Sequence, residues 1–353
     1  EEMRRDSALY HTAIASGEEF RYVPGVFSPP GWMKLNGQCF SAEGECTYPT
    51  DPQNALDPAH YGDFAEYAAS FIRICRDTFD LDVYAFSPQN EPYFNEPYVS
   101  CSYSGGLHYA QMLKVLGPAV QQADPATLIY GVEHMAWAYP TWENAVLSDA
   151  QANPYLHRFA VHGAVGPTDV DTAAFNNFRG DHTRPLWLTE LQWHDTSYTG
   201  SLAIARTVMK GLTSANMSGY LSGASLRNST GGFYANYSLN AQYFRFVRPR
   251  MKRVRATSSD PLVMVGVFCD ETKGSMSVVL LNSNSSSRTV TLAVSSGSLP
   301  ATFEEVRSTS NAERFVSRGP AAGNAQIEVP ANGMVSLGHL HRGTAGTVRR
   351  QEP

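Results

Sequence analysis

The chain has 353 residues, of which 42% are apolar and 17% charged, with a formal net charge of −6 and a pI near 5.9. That length and apolar fraction supply one large core and a smaller second one. The acidic balance, with no unbroken Lys/Arg run, argues against a nucleic-acid-binding surface, the lack of a run of about 18 apolar residues argues against a membrane span, and five cysteines are too few for a disulfide scaffold.

The opening EEMRRDSALYHTAIAS reads as a helix rather than a signal peptide. FRYVPGVFS, residues 20–28, reads as a strand. Cys39 and Cys46 bracket a short glycine-containing loop and are candidates for a disulfide, whereas Cys75 and Cys269 fall in a helical and a strand pattern and are expected as buried thiols. Residues 60–79 place apolar side chains at helical spacing. VYAFSPQ is then a strand, 106–122 a helix, TLIYGVE a strand and 140–150 a short helix. HRFAVHG and RPLWLTE are strands, LAIARTVMKGLTSA a helix, SGYLSGASL a strand and 237–247 a last helix.

Strands alternating with helices imply a parallel sheet with right-handed crossovers, and strands apolar on both faces suit its buried interior. A doubly wound sheet and a (β/α) barrel both fit. No glycine-rich phosphate loop follows a strand, which weakens the nucleotide-binding form of the first. From Val254 onward the texture is strand after strand with Ser/Asn/Gly turns, as in an antiparallel β-sandwich. The reading is therefore α/β over 1–250, as a doubly wound sheet or a barrel, then a β-sandwich over 251–340 and a disordered tail over 341–353.

Catalytic groups of α/β barrels stand at the carboxyl ends of strands. Here those positions hold Ser28 with Trp32 beyond it, Asn90 and Glu91, Glu133 and His134, His162, Glu190, and Arg227 with Asn228. Two glutamates from different strands, Glu91 and Glu190, are the pair that a retaining glycosidase requires: one protonates the leaving oxygen and one attacks the anomeric carbon, about 5–5.5 Å apart. SPQNEPYFNEPY holds Asn-Glu-Pro twice. Glu91 follows the apolar strand directly, whereas Glu96 lies further on between prolines and reads as a loop residue at the rim. Asn90 is suited to bond a sugar 2-hydroxyl, and Pro92 fixes the backbone after the acid. His134, His162, His182 and His194 lack a metal-ligand spacing, and no G-x-S-x-G elbow is present. Asn216, Asn228, Asn236 and Asn284 each begin an N-x-[ST] sequon.

SPPGWMKLNG (28–37), SPQNEP (87–92), VHG (161–163) and WLTE (187–190), in that order at strand ends, resemble glycoside hydrolase family 30 of clan A, which includes lysosomal glucosylceramidase, β-1,6-glucanases, β-1,6-galactanases and glucuronoxylanases. YFRFVRPRMKRVRA (243–256) is similar to that family's link between barrel and sandwich, with Arg250 where a glycine is usual. The resemblance covers roughly residues 7–340. It implies Glu91 as general acid/base, Glu190 as nucleophile, Asn90 on the 2-hydroxyl, Trp32 lining the sugar subsite and His162 in the cleft near the nucleophile. Glu133 is expected to bond substrate or buttress the pair. Arg227 stands where an arginine can pair with a sugar carboxylate or serve merely as a surface residue. Neither metal nor cofactor is called for. The expected partner is a β-linked oligo- or polysaccharide or a glycolipid.

Three departures affect the expectation. Ala164 follows Gly163 where the family has a polar aromatic. Leu226, Arg227 and Asn228 close the last barrel strand where an aromatic is usual. The family's barrel has eight strand–helix units, and the first two have no counterpart here, so the resemblance implies a partial (β/α) barrel over 1–250. A fragment of a longer, secreted or lumenal protein is the implied reading, with an open six-stranded arc of sheet whose unpaired edges make it poorly soluble and inactive by itself. A catalytically silent carbohydrate-binding chain is the alternative to a retaining β-glycosidase.

Overall fold

A computed structural model of the chain describes residues 1–40, 52–95, 98–134, 141–163, 184–191, 197–222, 235–310 and 313–341. These pack as two compact units. The first holds the chain up to Gly163 and again Arg184–Thr189, and the second holds Glu190 onward.

In the first unit, helix α1 (Glu2–Ala15) buries none of its side chains and is tied down by a hydrogen bond from Ser7 Oγ to Phe79 O at 2.6 Å. Helix α2 (Tyr61–Phe79) forms where Phe64, Ala65, Ala68, Ala69, Ile72 and Cys75 recur on one face. That stripe is buried against α3 (Gly106–Ala123), and full burial of Phe64 or Ile72 contributes about 1.5–3 kcal/mol each. Asp80 ends α2 in the left-handed conformation, φ 48°, and Leu81 N–H returns to Cys75 O at 3.0 Å, closing the last turn.

The sheet of this unit is parallel. Strand β1 (Ala85–Phe86) pairs with β2 (Leu128–His134), Ala85 opposite Leu128. Strand β2 pairs with β3 (Arg158–His162), and β4 (Leu186–Glu190) follows beside β3. Residues 20–28 do not form the continuous strand expected of them. They touch β1's segment in parallel at two bridges, Tyr22–Val83 and Gly25–Ser87. Pro24 between them has no N–H to give to a ladder, and only its carbonyl takes part, accepting from Ser87 N–H at 3.0 Å. One side chain from each strand, Ala85, Tyr130, Ala160 and Trp187, forms a buried layer, small residues facing large ones as barrel interiors require. Part of the expected partial barrel is thus present: four of the six strands expected of its arc lie in the parallel sheet of this unit, and their carboxyl ends come to one edge. Helix α4 (Thr141–Ser148) lies between β2 and β3 in sequence.

The second unit holds α5 (Tyr198–Thr213), β5 (Gly219–Tyr220), α6 (Ala235–Phe246) and the sandwich strands. Ser197 caps α5 by accepting from Gly200 N–H at 3.2 Å. The sandwich strands are β6 (Lys252–Val254), β7 (Val263–Asp270), β8 (Ser275–Asn282), β9 (Arg288–Thr291), β10 (Thr302–Ser308), β11 (Val316–Ala322), β12 (Gln326–Val329) and β13 (Gly333–His339). Six form an antiparallel sheet in the order β11-β10-β13-β8-β7-β6, and β12 pairs with β9 in a second. Val278, Leu280, Phe303, Ile327, Val329, Val335 and Leu337 fill the space between the sheets. Helix α6 packs on the other face of the larger sheet. Gln242 Nε2 donates to Ser308 Oγ at 2.8 Å, Ser336 Oγ donates to Gln242 Oε1 at 2.7 Å, and Phe246 lies so close to β13 that a Cβ on Gly338 would stand 2.5 Å from its ring.

At the end of β8, Asn284 is buried. Its Nδ2 donates to Asp260 Oδ2 at 3.1 Å and Asn282 Oδ1 at 2.8 Å, and its Oδ1 accepts from Arg288 Nη2 at 2.8 Å. Cys39, Cys75, Cys101 and Cys269 are free thiols. Cys75 is buried as expected. Cys269 is only half-buried, because β7 lies one strand in from the sheet's edge, beside the exposed strand β6. Cys46 and the tail from 342 lie outside the described residues.

Candidate active site

Glu91 stands five residues past Phe86, the last residue of β1. It is buried, and its backbone is left-handed at φ 43°, a conformation uncommon for a residue with a Cβ. The local sequence explains how it is held. Asn90 N–H donates to Val26 O at 2.8 Å, and Phe94 N–H donates to Glu91 O at 3.0 Å. Glu91 therefore opens a turn with Pro92 as its second residue, where proline's fixed φ is favourable. Gln89, itself buried, ties the loop down by donating from Nε2 to Phe27 O and Asn90 O, both at 2.8 Å.

Glu133 is the extra residue of a bulge in β2. Val132 faces Ala160 and His134 faces Val161, so Glu133 has no partner in the ladder, and its φ is 59°. Bulges re-aim side chains at sheet ends. The Glu133 carboxylate is buried, accepts a short hydrogen bond from Ser87 Oγ at Oε2 and lies 3.6 Å from His162 Nε2 at Oε1. His162 closes β3 and is also buried. Its Nδ1 is 2.8 Å from Glu91 Oε1. Burial by itself would lower the imidazole pKa. The nearby charges of Glu133 and Glu91 and the hydrogen bond with Glu91 outweigh it and raise the value to about 10. The charged form of His162 is thereby favoured between a carboxylate from the loop after β1 and one from the β2 bulge. Tyr109 and Tyr130 flank Glu133, and burial first, then that negative charge, pushes both hydroxyls well above the usual phenol range.

The structure thus brings together Glu91, Glu133 and His162, three of the residues singled out from the sequence. His162 is engaged with the expected acid/base and with Glu133. Ser87 and Gln89, which orient this group, were not singled out, although both lie inside the SPQNEP run. Asn90 is half-buried beside Glu91. Trp32 lies on a short 3-10 turn, Gly31–Met33, with 60% of its surface exposed and its ring edge-on to His60 at 5.3 Å. It is not a core aromatic. Below that turn, the buried Lys34 donates to Asn54 Oδ1 and to Ser100 O. Glu190 is the half-buried last residue of β4 and groups by packing with the second unit. Arg227, Asn228 and Glu96 lie outside the described residues, as does the side chain of His134.

Part of a parallel barrel sheet with buried acidic groups at its carboxyl edge, followed by a β-sandwich, is an α/β-barrel type of architecture joined to a β domain. No family model matches the chain. A Caenorhabditis elegans protein named as a glucosylceramidase is 28% identical over 174 residues, 46% of this chain and 32% of that protein. The endo-1,6-β-D-glucanase of Neurospora crassa is 27% identical over 179 residues, 48% of this chain and 34% of that one. The chain therefore matches only about a third of the length of these relatives. The family 30 subfamily 8 xylanase of Clostridium acetobutylicum shares the fold with a TM-score of 0.78 at 20% identity, over 94% of this chain and 82% of that one. The chain is related to glycoside hydrolase family 30.

Proposed function

We propose that this chain carries the catalytic centre of a retaining β-glycosidase. Glu91 protonates the leaving glycosidic oxygen while the Glu190 carboxylate attacks the anomeric carbon. Glu91, now ionised, then takes the proton of a water that displaces Glu190 from the sugar. The observation that carries this reading is Glu91 itself, a buried carboxyl in a left-handed turn at a strand's carboxyl end, hydrogen-bonded to a buried histidine. Asn90 would bond the 2-hydroxyl, Trp32 offers an exposed aromatic face for a sugar ring, and Arg227 is assigned to an acidic branch. The relatives are named for glucosylceramide-type, β-1,6-glucan and xylan chemistry, so the substrate is a β-linked polysaccharide or glycolipid. We place the functional domain boundary near residue 250 and the protein in a secreted or lumenal compartment. Among the described residues no helix is long and apolar enough to cross a membrane.

The test uses activated β-glycosides. Glu190→Ala abolishes turnover, and azide restores it with the α-glycosyl azide as product. Glu91→Ala keeps the first step on good leaving groups, and azide then gives the β-azide. Glu96→Ala keeps most activity. An NMR time course shows the β-anomer released first. The α-anomer first, or Glu96→Ala as inactive as Glu91→Ala, overturns the assignment. Binding of β-glycans without turnover by the unmodified chain favours the silent carbohydrate-binding reading. A panel of glucosylceramide, β-1,6-glucan, β-1,6-galactan and xylan with and without acidic branches identifies the substrate.

A further inference from the structure

We infer that Asn54 is a positioning residue that ties the turn carrying Trp32 to the loop carrying Glu91. The inference rests on the proposed roles of those two residues as sugar platform and acid/base. Neither segment is held by a ladder. Trp32 lies on a three-residue 3-10 turn, and the chain after it is paired only at the isolated bridges Lys34–Leu56 and Phe40–Val99. Glu91 opens a turn that closes at Phe94. Each segment then runs into a buried polar residue, Lys34 just past the Trp32 turn and Asn95 just past the Glu91 turn.

Both of these residues bond the same side chain. Asn54 is fully buried. Its Oδ1 accepts from Lys34 Nζ and, at 3.4 Å, from Asn36 Nδ2. Its Nδ2 donates to Asn95 Oδ1 and to Ser100 Oγ, each at 3.1 Å. A side-chain amide has two donor hydrogens and two acceptor sites, and here all are in use. Lys34 Nζ also donates to Ser100 O at 2.6 Å and Ser28 Oγ at 3.3 Å, and Ser102 Oγ donates to Asn95 Oδ1 at 2.9 Å. A satisfied buried network rigidifies the segments it joins. Asn95 belongs to the second Asn-Glu-Pro, so the asparagine of that copy serves as an anchor, where that of the first stands beside the acid.

The two ends of the tie can be cut separately. Lys34→Met, close in size, cuts the Trp32 side, Asn95→Ala cuts the Glu91 side, and Asn54→Ala cuts both. Lys34→Met should raise KM on β-glycan about fivefold or more with kcat nearly unchanged, as expected when ground-state and transition-state binding are lost together. Asn95→Ala should lower kcat about tenfold on poor leaving groups, which depend on acid catalysis, with KM nearly unchanged. Asn95→Asp, which keeps the accepting oxygen, should restore most of that rate, and Asn54→Ala should show both effects. A second readout needs no turnover. In fluorotryptophan-labelled protein, the ¹⁹F resonance assigned to Trp32 by its loss in Trp32→Phe should shift or broaden in Lys34→Met and Asn54→Ala, and stay in place in Asn95→Ala. Circular dichroism first establishes that each variant is folded, and the Lys34 and Asn95 variants carry the test if Asn54→Ala is not. A shifted resonance without turnover supports the tie and counts only against the glycosidase reading. A Trp32 resonance that none of the folded variants moves overturns the inference. So does the same kind of loss, in KM alone or in kcat alone, in every variant, which is what a merely structural network would give.

Discussion

His162 links the chemistry of its pocket to the stability of the first unit. Its pKa is raised from 6.5 to about 10 by its two carboxylate partners against the opposing effect of burial. A raised pKa means that the folded state binds the proton more tightly than the unfolded state. The stabilisation is therefore complete below about pH 6.5 and is lost as pH climbs through about 10. Denaturant midpoints of the unmodified protein and His162→Gln should differ most at pH 6 and converge toward pH 10. A gap that widens with pH would contradict the pairing of His162 with Glu91 and Glu133. Trp32 gives the opposite kind of residue. Its side chain is 60% exposed, so Trp32→Ala should leave stability within about 0.5 kcal/mol while raising KM severalfold on polymeric substrate, checked by melting curves beside initial rates. The places of Glu91 just past β1 and of Glu190 at the end of β4 were legible because each follows a short apolar run. The contact of His162 with Glu91 and Glu133 was not, because it joins a loop and two strands far apart in the chain and depends on a bulge that no local pattern announces.

The elements show the same division between local and distant causes. Helices α2 and α3 fall within a residue of their expected spans, because their apolar spacing alone selects a helix and a buried face, whereas α5 begins four residues before its expected start, at the turn that Ser197 caps. Strand β11 was missed: VSRGPAA carries a glycine and a proline and reads as a loop. It is tolerated as a strand because it lies at the edge of its sheet. Strand β6, three exposed residues at the opposite edge, read as linker. The tract AQIEVPANGMVSLGHL, expected as continuous with the sandwich, divides into β12 and β13 in different sheets, the break falling at Pro330. The fit of α6 on the sandwich can be tested at one atom. Gly338→Ala puts a methyl 2.5 Å from the Phe246 ring, so overpacking should cost about 1–3 kcal/mol. Gly297→Ala has open space and only the penalty of its left-handed backbone, about 1 kcal/mol. Equal losses at the two positions, by equilibrium denaturation, would show that α6 does not press on β13.

At the scale of the molecule, composition and packing divide the chain at different places. Helical texture ends near Val254, yet the packing break comes at Thr189. The reason lies in side chains that no periodicity reveals. Tyr198 of α5 donates to Ser308 O at 3.0 Å, and Gln242 of α6 shares hydrogen bonds with Ser308 and Ser336. The last helices of the barrel-type sequence are thereby tied to the β-sandwich. The burial of Asn284 has a consequence for how the chain must be made. Oligosaccharide transfer reads N-x-[ST] in a nascent polypeptide, before tertiary structure exists, and the sugar goes onto the amide nitrogen. At Asn216, exposed in the turn after α5, a glycan has room. At Asn284 that nitrogen is spoken for by Asp260 and Asn282, so a chain glycosylated there cannot close its sandwich and becomes a dead end for quality control. Secretion from a glycosylating host should yield protein with sugar at Asn216 and none at Asn284 by peptide mapping. Ser286→Ala, which erases the second acceptor sequence but keeps the backbone carbonyl that Asn282 uses, should raise the secreted yield in that host and leave it unchanged in bacteria.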